Sequence, residues 1–145
     1  MNTFERAERF VALHRAACFV IRNPWHRGSA VLLAGLGFQA LASSSAGQAF
    51  CQGRADGTLG RQATLAHLRD PVDATPLPLN DDLENGFGDL PQDCADTVRA
   101  AAALGVVAGS IEDASGRAED PIYPFDMALP VFNAAFRAGG QMPPV

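Results

Sequence analysis

The residues of this chain that could do chemistry are mostly oxygen donors. Asp81, Asp82 and Glu84 sit together in Leu79-Asn80-Asp81-Asp82-Leu83-Glu84-Asn85-Gly86. If the backbone stays extended there, residues 82 and 84 point to the same side. Joined by Glu112 from the next apolar run, they would form an oxygen-rich pocket suited to Mg²⁺, which takes a few carboxylates and keeps several waters. The same acids also fit a helix N-cap and a solvated loop. Ser43-Ser44-Ser45-Ala46-Gly47 could offer backbone N–H groups to a carboxylate or an oxyanion, or be a flexible turn. His14, His26 and His67 are scattered; His14 and His67 lie on helix candidates and read as surface or packing residues. Cys18, Cys51 and Cys94 contain no CxxC pair and read as small reduced side chains rather than zinc ligands.

The elements that must position these groups follow a βα rhythm. Apolar spacing predicts a helix over Thr3–Ala17, and Cys18–Ile21 reads as a buried strand ended by Asn23-Pro24. Ser29 is placed to cap a helix reaching Gly35–Gly37. Phe38–Ala42 reads as a second strand, followed by a long loop to about Gly60, and Gln62–Leu68 as a helix. Pro76–Leu79 reads as a third strand. Asp89 is placed to cap an Ala-rich helix ending near Gly105, and Val106–Ile111 reads as a fourth strand. A loop over 112–124 and a helix over 125–137 complete the pattern. Such alternation predicts an α/β fold with a parallel sheet, whose chemistry sits at the carboxyl ends of the strands. The polar clusters fall at those ends.

Composition narrows the function classes. The chain has 145 residues, 48% of them apolar and 19% charged, which is globular. Its net charge of −5 argues against a nucleic-acid partner. All eleven basic residues are Arg, so no Schiff-base or P-loop lysine exists. Gly28–Gly53 carries no charge, yet its Gln, Ser and Gly residues argue for a buried segment over a membrane span. With an acid-bearing N-terminus and unpaired cysteines, a cytoplasmic location is expected.

In order along the chain stand Asn23-Pro24-Trp25, Gly28-Ser29-Ala30, Gly37-Phe38-Gln39-Ala40-Leu41-Ala42 with Ser45-Ala46-Gly47, Gly53-Arg54-Ala55-Asp56-Gly57, Asp82-Leu83-Glu84-Asn85-Gly86-Phe87-Gly88, and Gly109-Ser110-Ile111-Glu112-Asp113. This series resembles the isocitrate lyase/phosphoenolpyruvate mutase family, in its DLENGFG branch. The resemblance implies a TIM (β/α)8 barrel, usually a homo-oligomer, that makes or breaks C–C or P–C bonds beside a 2-oxo acid. It implies Mg²⁺ that stabilises an enolate-like intermediate, with Asp82 as direct ligand and Asp56, Glu84 and Glu112 holding metal-bound waters. It assigns Ser45, Ala46 and Gly47 to the substrate carboxylate, and it leaves the catalytic residue unidentified.

Departures from the family pattern carry expectations of their own. His26-Arg27 stands where the branch has Asp and a small residue. Ala114–Tyr123 contains neither Lys nor Cys, which disfavours isocitrate or methylisocitrate cleavage. The chain ends before the fifth strand, where the family has a substrate-binding Arg. Residues 1–138 are therefore expected to form a partial barrel of the first four βα units, about half a barrel, with an irregular tail over 139–145. A truncated enzyme with an open apolar interior is one expectation; a non-catalytic remnant or interaction module that keeps the fold is the alternative.

Overall fold

The computed structural model describes residues 1–15 and 18–140. In chain order the elements are α1 (Thr3–Arg15), α2 (Arg27–Gly35), β1 (Leu41–Ala42), α3 (Ser45–Cys51), α4 (Arg61–Ala74) and β2 (Leu79–Asp82). They continue with α5 (Pro91–Ala103), β3 (Ala108–Ser110), β4 (Ala114–Arg117), β5 (Asp120–Ile122) and α6 (Phe125–Gly140). Strands β1, β2 and β3 form a parallel sheet in that order, and β4 and β5 form a separate antiparallel hairpin.

The expected parallel order holds, but the strands are shortened or shifted relative to their apolar runs. The first is reduced to one parallel bridge between Arg22 and Leu41. Pro24 has no N–H to extend it, and the Asn23 side chain takes over by donating to the carbonyls of Ala42 and Ser43, both at 3.1 Å. The third begins at Leu79 rather than Pro76, because Pro76 and Pro78 cannot donate to a ladder. Asp81 and Asp82 therefore lie within β2, not after it.

Helix starts also differ from the sequence reading, because local side chains compete for the caps. His26, not Ser29, caps α2, with Ser29 answering as the fourth member of the capping box. Leu90, not Asp89, precedes α5; Pro91 opens the helix and the Asp93 carboxylate accepts from the Leu90 N–H at 3.2 Å. The expected loop after the second strand contains α3, capped by the Ser44 hydroxyl. The expected loop over 112–124 contains the β4–β5 hairpin. Helix α6 runs through Gly139 and Gly140, and the rest of the tail, 141–145, lies outside the described residues.

The core lies between the sheet and its helices. Leu41 and Leu79 on the sheet pack with Leu68 and Val72 of α4, Ala101 of α5, and Leu83. A fully buried Leu contributes roughly 1.5–3 kcal/mol. The opposite face of the sheet carries Ala42, Asn80 and Ala108 in one row and Asp82 and Ser110 in the next. That face is small and polar, which corrects the expectation of an apolar open interior; the exposed large apolar residues are on helices, loops and the β4–β5 hairpin instead. Among the described residues no helix is long and apolar enough to cross a membrane.

The turn from β2 into α5 depends on Gly86. Its φ is +84°, and a Cβ there would stand 2.7 Å from the Cα and Cβ of Cys94. Backbone cannot retreat as a side chain end can. Gly86→Ala is expected to cost at least ~3 kcal/mol in urea denaturation, combining strain and overpacking. Gly139→Ala, in open space on α6, should be neutral or stabilise by up to ~1 kcal/mol. Equal effects at the two sites would contradict this turn.

Candidate acidic site at the strand ends

The parallel sheet delivers its loops to one rim. There the β2 and β3 exits are stitched together: Leu83 N–H donates to the Ser110 carbonyl at 3.1 Å, and Glu112 N–H to the Glu84 carbonyl at 2.8 Å. Glu84 itself has φ +49°, so the backbone turns rather than staying extended. The same-side argument for residues 82 and 84 therefore fails locally, and a tight turn replaces it.

A cavity of about 520 Å³ opens at this rim. Asp56, Glu84 and Glu112 line it from three loops, together with Ser45 and the hairpin residues Ala114, Ser115 and Gly116. Among the described residues, no basic side chain lines it. Asp82 sits beside the cavity rather than in its wall. One of its carboxylate oxygens accepts from the Ser45 N–H at 2.9 Å and the Ser45 hydroxyl at 2.8 Å, and the other from the Glu84 N–H at 3.3 Å. A carboxylate has about four acceptor sites, so roughly one is left.

The acids feel one another. Glu84 is pushed up to about 7, first by burial and then by the charges of Asp82, Asp56 and Glu112. Glu112 is raised by burial, then by Asp82, Asp56 and Asp113. Behind them Asp81 is fully buried, and burial lifts it to about 7. One of its oxygens accepts from the Ser43 hydroxyl and the other has no partner. A cluster of acids without a counter-charge suits a hard cation. Among the described residues, however, no three acidic, His or Cys side chains come close enough to hold one directly.

The Ser45–Gly47 segment is the first turn of α3, not a flexible loop. Ser45 spends its N–H on Asp82, and Gly47 donates its N–H to the Ser44 hydroxyl at 3.2 Å. Ser45 alone of the three lines the cavity. Gly47 is needed for another reason: a Cβ there would lie 2.4 Å from the Trp25 ring.

Sequence reasoning missed the hairpin over the site. Tyr123 fastens it, its hydroxyl accepting from the Asn85 amide at 2.9 Å and donating to Asp89. Arg117 adds hydrogen bonds to both Asp89 oxygens at 3.2 and 3.1 Å. The signal available was Gly116, at φ +75° inside β4, where the pairing with β5 is irregular.

Comparison with known proteins gives the following matches. The family model described as phosphoenolpyruvate phosphomutase matches residues 10–143. A structure from Burkholderia cenocepacia J2315, described as a candidate lyase/mutase, is 49% identical with a TM-score of 0.95, over 97% of this chain and 51% of that one. A second from the same organism, described as a candidate phosphonomutase, is 30% identical with a TM-score of 0.86, over 97% and 56%. The structure of 2,3-dimethylmalate lyase, a PEP mutase/isocitrate lyase superfamily member, is 25% identical with a TM-score of 0.83, over 97% and 50%. No curated protein matches. The chain thus spans about half the length of the structures it resembles, and its parallel βα units correspond to about half of their barrel.

The raised carboxyl groups set a pH dependence. A carboxyl whose folded pKa lies above its unfolded value of about 4 stabilises the fold fully below that value and loses the contribution as pH rises toward 7. The melting temperature of cation-free protein relative to Glu84→Gln should therefore fall as pH rises from 4.5 to 7. A constant difference across that range would mean that Glu84 is not crowded as described.

Proposed function

The chain belongs to the phosphoenolpyruvate phosphomutase family, and from that premise we propose that its acidic rim is a Mg²⁺ site for C–C lyase or phosphonomutase-type chemistry on a 2-oxo acid. The observation that carries this reading is the convergence of Asp56, Glu84 and Glu112 on one cavity, with Asp82 beside it and no basic side chain in the wall. The donor set fits the ion: all oxygen, crowded and mutually repelling, with room for water between ion and protein.

When bound, Mg²⁺ would polarise the 2-oxo group and offset the negative charge that develops on its oxygen. Asp82 would hold the ion with its remaining acceptor capacity, oriented by Ser45. Asp56, Glu84 and Glu112 would act through intervening water. Ala46, whose N–H is not engaged by Asp82 or Ser44, is the donor left in the first turn of α3 for a substrate carboxylate. Ala114, Ser115 and Gly116 line one wall of the cavity, and the water they displace there would strengthen the charge interactions inside. Residues 114–123 supply neither Lys nor Cys, so cleavage of isocitrate or methylisocitrate is not part of this proposal. The reading extends to a cytoplasmic, homo-oligomeric enzyme.

A second reading is a non-catalytic module that keeps the fold. It is favoured by the Asp82 carboxylate, which three donors already occupy, and by a cavity that no cation from this chain lines.

Calorimetric titration with Mg²⁺, and spin-resonance titration with Mn²⁺, separate the two readings. Binding is expected, weakened at least ~10-fold in Asp82→Ala and in Glu112→Gln, since each removes one charged partner worth about 1.5–3 kcal/mol. Oxalate, a planar dianion with the oxygen arrangement of an enolised 2-oxo acid, should bind only with the cation present. Cation binding without oxalate binding or turnover would favour the module; no cation binding in folded protein would end the enzyme reading.

A further inference from the structure

Asp81 is a buried acid that the proposed chemistry leaves unused. It sits in β2 on the helix side of the sheet, on the same face as the core residue Leu79, and is 0% exposed. On one flank the register sets it beside Gly109 of β3, which has no side chain to offer. On the other flank, just past the end of β1, stands Ser43, whose hydroxyl donates to one Asp81 oxygen. The second oxygen has no partner among the described residues. A buried carboxyl with a single partner costs stability, where an apolar side chain would add to the core. Its effect is on Ser43.

A hydroxyl has one proton and two acceptor sites. With the Ser43 proton held on Asp81, the Ser43 oxygen faces the next residue of β2, and the Asp82 N–H donates to it at 2.9 Å. The Ser43 N–H donates to the Asn80 carbonyl at 2.9 Å. Two residues further on, the Ser45 N–H and hydroxyl both donate to the Asp82 carboxylate. The segment after β1 is therefore fastened to Asp82 at its backbone through Ser43 and at its side chain through Ser45.

We propose that Asp81 is a positioning residue for the cation site: it fixes the Ser43 hydroxyl, and through Ser43 and Ser45 it aims the Asp82 carboxylate at the rim. Outer partners of this kind orient a metal's ligands, and losing one weakens metal affinity about 10–100-fold. The role of Asp81 in cation binding rests on the Mg²⁺ reading above; its hold on Asp82 rests on the hydrogen bonds alone.

Two measurements on the folded chain test this: amide hydrogen exchange at Ser45 without cation, and spin-resonance titration with Mn²⁺. Asp81→Val and Ser43→Ala should each speed exchange at Ser45 and weaken Mn²⁺ binding at least ~10-fold. Asp81→Asn, whose amide oxygen still accepts from Ser43, should stay close to native in both. The urea midpoint of Asp81→Val should not fall, because the variant removes a half-paired buried carboxyl, so its loss of affinity cannot be a loss of fold. The double variant should lose no more affinity than either single one, since both break the same link. Native exchange and native affinity in Asp81→Val, equal losses in Asp81→Asn and Asp81→Val, or losses that add in the double variant would overturn the proposal. If the native chain binds no Mn²⁺ while exchange at Ser45 still depends on Asp81, the Mg²⁺ reading falls and the positioning of Asp82 stands.

Discussion

Parallel pairing of β1, β2 and β3 is the constraint from which the rest follows. Parallel neighbours cannot be joined by a tight turn, so each crossover between them must carry the chain back to the end of the sheet where the strands begin, here through helices. Every strand then ends at the same rim. Polar loops that are far apart in the chain, around Asp56, Glu84 and Glu112, meet there without any contact having to seek them out. The core on the helix side, from Leu41 and Leu79 to Leu68 and Val72, holds that arrangement.

Crowding acids at the rim has a consequence for both stability and function. Burial and mutual charge favour the protonated forms of Glu84 and Glu112, so the fold carries an electrostatic cost near neutral pH. A bound divalent cation would offset it. The chain spans about half the length of the structures it resembles, and this rim carries the acids with no basic side chain of its own. The small, polar inner face formed by Ala42, Asn80, Asp82, Ala108 and Ser110 shows how such an open sheet tolerates water.

What the sequence made legible was what depends on order and type: the βα alternation, the parallel pairing, and the family, carried by short motifs in series. What it hid depends on local competition. Prolines at 76 and 78 moved the third strand by three residues, and His26 took a cap that Ser29 seemed to own. An extended backbone would set Glu84 on the same side as Asp82, yet a left-handed turn puts it in the cavity. The sequence presents Asp82 and Ser45 as separate site residues, but they hydrogen-bond to each other through the packing of α3. The hairpin over the cavity was hidden because Tyr123, Asp89, Asn85 and Arg117 fix it through contacts remote in sequence.

The central claim is that these converging acids form one divalent-cation site. Anomalous diffraction from crystals grown with Mn²⁺ tests it most directly. A single strong peak is expected within the space bounded by Asp56, Asp82, Glu84 and Glu112. A peak elsewhere, or none in well-ordered crystals whose rim matches this geometry, would contradict it.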